Sequence, residues 1–93
     1  MKVFKKVQSE YFNAIIEGRK RFEVRLADFD CKPGDTLVLQ EQGESGGLTG
    51  REVSCEVMYQ FNTKEMERFH TREEIDEHGF YVLSIRKQFA YDD

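Results

Sequence analysis

The 93-residue sequence contains no tryptophan, a single proline and two cysteines, and it has no continuous apolar run able to cross a membrane or act as a signal peptide. Each shortage excludes something. Cys31 and Cys55 are far apart and lack a secretory context, so they read as free thiols and not as a disulfide framework. Neither Cys-x-x-Cys nor His-x-x-x-His spacing occurs, and His70 and His78 lie in a polar stretch, so no metal or other cofactor is implied. The glycines of residues 42–49 follow neither a Gly-x-Gly-x-x-Gly order nor a Gly-Lys-Ser/Thr ending, which leaves that segment a plain connection and not a phosphate cradle. These features describe a soluble, cytoplasmic protein.

Basic residues are also in the minority. The net charge of −4 argues against sequence-independent binding along nucleic acid. The average hides an asymmetry, however. Residues 1–25 carry seven basic residues against Glu10, Glu17 and Glu23, a net of plus four, so the remainder carries minus eight. A basic face on an acidic body is one reading; a solvated rim of scattered charges is the other.

Eight Phe and four Tyr within a 39% hydrophobic composition are enough for one modest core. The expected organisation is a single domain over residues 1–87 with a frayed tail over 88–93. Lys2 to Val7 is expected as a strand. Ser9 is placed to cap a helix in which Phe12, Ile15 and Ile16 fall at i, i+3 and i+4, with Gly18 ending it. Phe22 and Val24 alternate with charged neighbours, which predicts a strand over 21–26. Pro33-Gly34 suits the centre of a type II turn that launches a strand from Thr36 to Glu41. Alternation of Val53, Cys55, Val57 and Tyr59 predicts a strand over 51–61. Thr71 to Glu74 reads as the capping box of a short second helix ended by Gly79, and a last strand is expected over 80–87, apolar on both faces. Five or so strands with one helix early and a short helix before the last strand make a small α+β fold, a mixed β pseudo-barrel.

Chemistry concentrates in Gly18-Arg19-Lys20-Arg21-Phe22-Glu23-Val24-Arg25. Strand parity places Arg21, Glu23 and Arg25 on one face, where two guanidinium groups would hold Glu23 ionised. Lys20 shares the parity of the apolar residues, but a long side chain at a strand's first residue can reach a cleft mouth. Arg19, Arg21 and Lys6 are candidates for the rim. Phe29, in the polar loop 27–32, could stack on a base or fold back as a lid on the core. The plain alternative is a surface charge ladder, worth less than about 1 kcal/mol per pair. Concavity discriminates between the two: ligand-binding residues converge on a pocket, a ladder faces open solvent.

The string GRKRFEVR, the Lys32-Pro33-Gly34-Asp35 turn with the strand after it, the Glu10-Tyr11-Phe12 helix start, the Leu48-Thr49-Gly50-Arg51 strand entry and the terminal run from Gly79 to Ile85 together resemble ASCH domains of the PUA-like superfamily, closest to a small prokaryotic and phage-associated branch of unknown function. The resemblance implies a curved pseudo-barrel with a cleft beside the first helix, and RNA as ligand. Lys20 and Arg25 would grip phosphate and Glu23 would accept from a base amino group. An RNA terminus or a modified nucleotide suits an acidic body better than duplex tracking.

Enzymatic alternatives remain. Some small ASCH proteins are similar to amidohydrolases that deacylate N4-acylated cytidine with a lysine, a threonine nucleophile and a glutamate. Lys20 matches the lysine, but Glu23 stands where the threonine would be, so Lys20 and Glu23 would have to activate water. A ribonuclease would need His70 or His78 as the acid for the leaving oxygen. The acidic region 65–77 is a candidate surface for a protein partner.

Overall fold

The computed structural model describes residues 1–86 and 88. The backbone groups into two compact units, Met1–Asn62 and Thr63–Asp93. Except for Gln88, the tail expected to fray over 88–93 lies outside the described residues. Among the described residues, no helix is long and apolar enough to cross a membrane.

The first unit is built from β1 (Lys2–Gln8), α1 (Ser9–Ile16), β2 (Thr36–Gln42) and β3 (Leu48–Glu56). Strand order is β1-β2-β3, with β1 parallel and β3 antiparallel to the central strand. A parallel pair cannot be closed by a hairpin, so α1 and residues 17–35 form the crossover between β1 and β2. The result is a small α+β fold with a three-stranded mixed sheet and short helices.

Side-chain parity explains the core. Leu37 and Leu39 on β2 bury one face together with Val7 of β1 and Phe12 of α1, and Val3, Ile15, Val53, Cys55 and Val57 pack around them. Val38, of opposite parity, is also buried, where Phe4 and Ser54 pair with it from either side. An eight-residue helix is marginal alone in water. Phe12, only 1% exposed, anchors it to the sheet.

The ends of α1 are made differently from each other. Gln8, not Ser9, is the N-cap and makes no side-chain cap bond; Ser9 is already helical and its hydroxyl donates 3.3 Å to the Gln42 carbonyl, tying the helix start to the end of β2. At the other end Gly18 adopts φ 77, Gly18 N–H donates to the Ile15 carbonyl at 3.0 Å, and Arg19 N–H donates to Ala14 at 2.9 Å. This is a Schellman closure. Lys20 N–H adds a 3.1 Å bond to the same Ala14 carbonyl, so the chain leaves the helix in a fixed direction.

The turn at Lys32-Pro33-Gly34-Asp35 forms as its residues predict, with Gly34 at φ 96 and Asp35 N–H donating 3.0 Å to the Lys32 carbonyl. That turn also shortens β3. Val57 still bonds the Asp35 carbonyl at 2.9 Å, but beyond it the neighbouring chain has turned away at Pro33-Gly34, so 57–61 is not strand as expected and Tyr59 is exposed.

The strands expected over 21–26 and 80–87 are absent over their described residues. The Lys6 carbonyl of edge strand β1 accepts from the Arg25 guanidinium instead of a backbone N–H of 21–26. Phe80 to Arg86 is extended in pattern but unladdered, with Tyr81 92% and Ile85 82% exposed. High β-propensity makes a strand only when an edge pairs it.

The second unit contains a 3₁₀ turn, Thr63–Arg68, and α2, Arg72–His78. Its predicted capping box is complete: Glu74 N–H donates to Thr71 Oγ1 at 3.1 Å and Thr71 N–H to Glu74 Oε1 at 2.8 Å. Gly79, at φ 65, ends the helix.

Because Phe12 is the helix's main anchor, Phe12→Ala is expected to destabilise the domain by about 3–5 kcal/mol, with Phe12→Leu costing much less. Urea unfolding followed by circular dichroism measures both; a loss under about 1 kcal/mol for the alanine variant would show that α1 is held elsewhere.

Candidate functional site

The Schellman closure of α1 delivers Lys20 to the mouth of an open cleft of about 530 Å³, between the strand-to-helix junction at Val7-Gln8 and the segment from Lys20 to Arg25. Lys6, Lys20, Glu23 and Arg25 line it, with the rings of Tyr11 and Phe22 and the amides of Gln8 and Gln42. Four of the seven residues singled out in the sequence therefore converge on a concave surface. The other three do not line it. Arg19 turns to Glu17 at 3.0 Å, Arg21 donates 3.4 Å to the Gly18 carbonyl at the helix end, and Phe29 sits half-buried beneath the Lys5 ammonium, 3.8 Å from its ring centre.

Glu23 is the hub of the cleft. Its Oε1 accepts from Lys20 Nζ at 2.9 Å and its Oε2 from Arg25 Nε at 2.6 Å. Sequence parity had placed Arg21 and Arg25 on either side of it; without a ladder to enforce that alternation, Lys20 takes the place expected for Arg21. Lys20 also donates to the Phe22 carbonyl at 2.7 Å and stands 4.8 Å from the Phe22 ring centre and 5.8 Å from that of Tyr11, within cation–π range of both. Arg25 donates to the Lys6 carbonyl, which pins 21–26 against β1. The Lys20 and Glu23 side chains are each only 16% exposed, so the pair is organised before any ligand arrives.

A second polar cluster was not singled out from the sequence. Glu41, buried on β2, accepts from Thr49 Oγ1 at 2.7 Å and from Arg51 Nε at 2.9 Å through Oε1, and from Arg51 Nη2 at 2.9 Å through Oε2. The same Arg51 Nη2 donates 2.9 Å to Asn13 Oδ1 on α1, and the guanidinium lies 4.8 Å from the Phe12 ring centre. The hydrogen bonds from Arg51, then that from Thr49, outweigh desolvation and hold the Glu41 carboxyl down at about 2, against an ordinary 4.5. The signal was present in the strand parity. Glu41 follows Leu37 and Leu39, and Arg51 precedes Val53 and Cys55, so both point to the core face.

The cleft lining contains no serine, threonine, cysteine or histidine; its one hydroxyl is the Tyr11 phenol. Cys55, which packs against the core, is no substitute nucleophile: burial first, and the nearby Glu23 charge second, push its thiol up and away from the reactive thiolate. Thr49 is committed to Glu41. Thr36 lies on β2, opposite Lys2 and Glu56. His70 and His78 line a small pocket of the second unit with Glu74 and Phe80. Among the described residues, no three His, Cys, Asp or Glu side chains are grouped to hold a metal ion.

Residues 4–85 match the family model described as a domain of unknown function, DUF3850. The chain belongs to the DUF3850 family. An uncharacterised 12.9 kDa protein in the GpA 3′ region of Escherichia phage P2 is 40% identical over 52 residues, a stretch covering 56% of this chain and 47% of the phage protein. The chain thus matches about half the length of that curated relative. No solved structure matches.

In this DUF3850 domain the Glu41 cluster makes acid sensitivity predictable. A carboxyl held at about 2 when folded and 4.5 when free leaves the unfolded chain binding more protons between those values. Its stabilisation is therefore complete above about 4.5 and is lost as pH falls toward about 2. Asp35 and Glu74 are also held low, by the Lys32 and Thr71 backbone N–H groups first, and contribute in the same direction. Denaturant titrations across this window are expected to show a steeper loss for wild type than for Glu41→Gln; parallel curves would remove Glu41 as a source of the acid limb.

Proposed function

We propose that this domain binds RNA or a modified nucleotide in the cleft lined by Lys6, Lys20, Glu23 and Arg25, and does so in the cytoplasm. The observation that carries the reading is the convergence of these side chains on a concave surface, where a charge ladder would face outward. Three cations against one carboxylate give the cleft a local surplus of positive charge on a chain whose net charge is −4. Recognition therefore rests in the pocket and not on a broad basic surface. Arg25 offers a planar fork and Lys20 a point charge to phosphate oxygens, and Glu23 retains unused lone pairs for a base amino group. The Tyr11 and Phe22 rings offer stacking faces, and such stacking contributes about 1–3 kcal/mol per base.

The ASCH and PUA-like resemblance belongs to the same proposal. Its five-stranded pseudo-barrel would require 21–26 and 80–87 to join the three-stranded sheet.

A second reading draws on the Lys20–Glu23 contact at 2.9 Å. In hydrolysis of an N4-acylated cytidine, Glu23 would take a proton from water as the water oxygen attacks the acyl carbon. Lys20 would protonate the departing amine as the carbon–nitrogen bond breaks, and the Glu23 proton would then return to Lys20. The lack of a serine, threonine or cysteine nucleophile in the cleft favours binding over this chemistry. A ribonuclease stands below both, and protein docking through 65–77 is what remains if the cleft takes no ligand.

The test is a titration of wild type and a Lys20→Ala, Arg25→Ala double variant with single-stranded RNA, duplex RNA and nucleosides including N4-acetylcytidine, at low and high salt, with every mixture checked by chromatography for product. Salt-sensitive binding weakened roughly tenfold or more in the variant, without product, is expected. Product from N4-acetylcytidine would establish the hydrolase. Binding that is absent, or indifferent to the substitutions, would overturn the cleft as the site.

A further inference from the structure

The three cations of the cleft are not equivalent. Lys20 and Arg25 are both engaged by Glu23 and by main-chain carbonyls of Phe22 and Lys6. Lys6 keeps its own ammonium exposed at the cleft wall, with no carboxylate partner among the described residues. Around Glu23 the cleft is thus a pre-formed amino-group acceptor backed by two cations; around Lys6 it is an open positive position, with the unused N–H groups of Arg25 beside it. Lys6, Lys20 and Arg25 against Glu23 leave a surplus of two positive charges.

A backbone phosphodiester carries one negative charge, whereas a terminal phosphomonoester carries about −1.5 to −2 at neutral pH. The surplus matches the monoester. The volume agrees: about 530 Å³ accommodates one nucleotide and lies within the ~300–1,000 Å³ typical of small-molecule sites. The two units have no basic surplus with which to track a polymer, since residues 1–62 carry nine basic and ten acidic residues, and residues 63–93 five and eight.

We propose that the cleft recognises a single nucleotide through its terminal phosphomonoester, which pairs with Lys6 and Arg25, while Glu23 accepts from the exocyclic amino group of a cytosine- or adenine-type base stacked beside Tyr11. This rests on the nucleotide-binding reading and narrows it. A free nucleoside monophosphate and a phosphorylated RNA end present the same chemistry, and the test separates them.

Isothermal titration calorimetry would compare CMP with cytidine and with UMP, and a 5′-phosphorylated oligoribonucleotide with its 5′-hydroxyl counterpart, against wild type, Lys6→Ala and Glu23→Gln. CMP is expected to bind roughly tenfold or more tighter than cytidine, because a charged hydrogen-bonded contact is worth about 1.5–3 kcal/mol. Lys6→Ala, an exposed position, is expected to weaken CMP several-fold, with Arg25 still holding part of the phosphate, and so to narrow the ratio of CMP to cytidine affinity. Glu23→Gln is expected to reduce the preference for CMP over UMP. Whichever phosphorylated probe binds more tightly identifies the source. If cytidine binds as well as CMP and the hydroxyl oligonucleotide as well as the phosphorylated one, the phosphomonoester inference is overturned while nucleic-acid binding stands. If no probe binds, both fall together.

Discussion

The first unit depends on a carboxylate that the sheet buries and then neutralises. Glu41 lies on the core face of the central strand, where an unpaired charge would be prohibitive. Arg51 meets it with two hydrogen bonds and Thr49 with a third, so both oxygens of that charge are tied from β2 to β3. Arg51 then reaches Asn13 and lies over Phe12, carrying the tie to the helix. The position coincides with the register shift between Gln40 and Gln42, where regular ladder bonds fail and side-chain bonds take over. Only the Glu41 side of the pair is buried; the Arg51 side chain is 54% exposed, so the guanidinium reaches the carboxylate without giving up its own contact with water. The arrangement that results is the seating of a short helix on a narrow sheet.

That seating determines the cleft. Ser9 bonds the Gln42 carbonyl at one end of α1, and the glycine closure at the other end releases the chain at Lys20. Gln42 and Lys20 both line the cleft, so each end of the helix contributes one of its walls. Glu23 holds the returning segment together through two cations, and Arg25 fastens it to β1 by a main-chain carbonyl. The segment keeps its shape without ladder bonds because its charged side chains do the work that backbone pairing does elsewhere.

Local chemistry was legible in the sequence and partnership was not. The helix from Ser9, the glycine at its end, the Pro33-Gly34 turn and the Thr71 capping box follow from residues that carry their own geometry, and each forms. Ser9 failed as a cap because its hydroxyl found the Gln42 carbonyl, a distant group that no local pattern announces. The 21–26 segment has the alternation of a strand and the one expected over 80–87 the two-sided apolar pattern of a covered strand, but such patterns are a property of one chain and a ladder is a property of two. Within the site, Lys20, Glu23, Arg25 and Lys6 were legible as charge density around one junction, whereas Arg19 and Arg21, included by adjacency, and Phe29, included as an aromatic residue in a polar loop, are drawn to other partners. Glu41 and Arg51 were overlooked because a charged residue at a core parity reads as an interruption until its counter-charge is found on the next strand.

The parallel pairing of β1 with β2 also sets an order of assembly. Every residue of β1 meets a partner 34 positions later, Lys2 with Thr36 through Gln8 with Gln42, whereas β2 and β3 close across as few as six. Loop-closure entropy favours the near pairing first, so the β2–β3 hairpin is the natural nucleus, and the amino-terminal strand docks onto an edge that already exists. The intervening chain contains α1 and the Lys20 to Arg25 segment, so the cleft walls take their final positions only when that long loop closes. A nascent chain would thus carry a formed hairpin before it carried a pocket, and the pocket would be the last feature gained on folding and the first lost on opening the β1 edge.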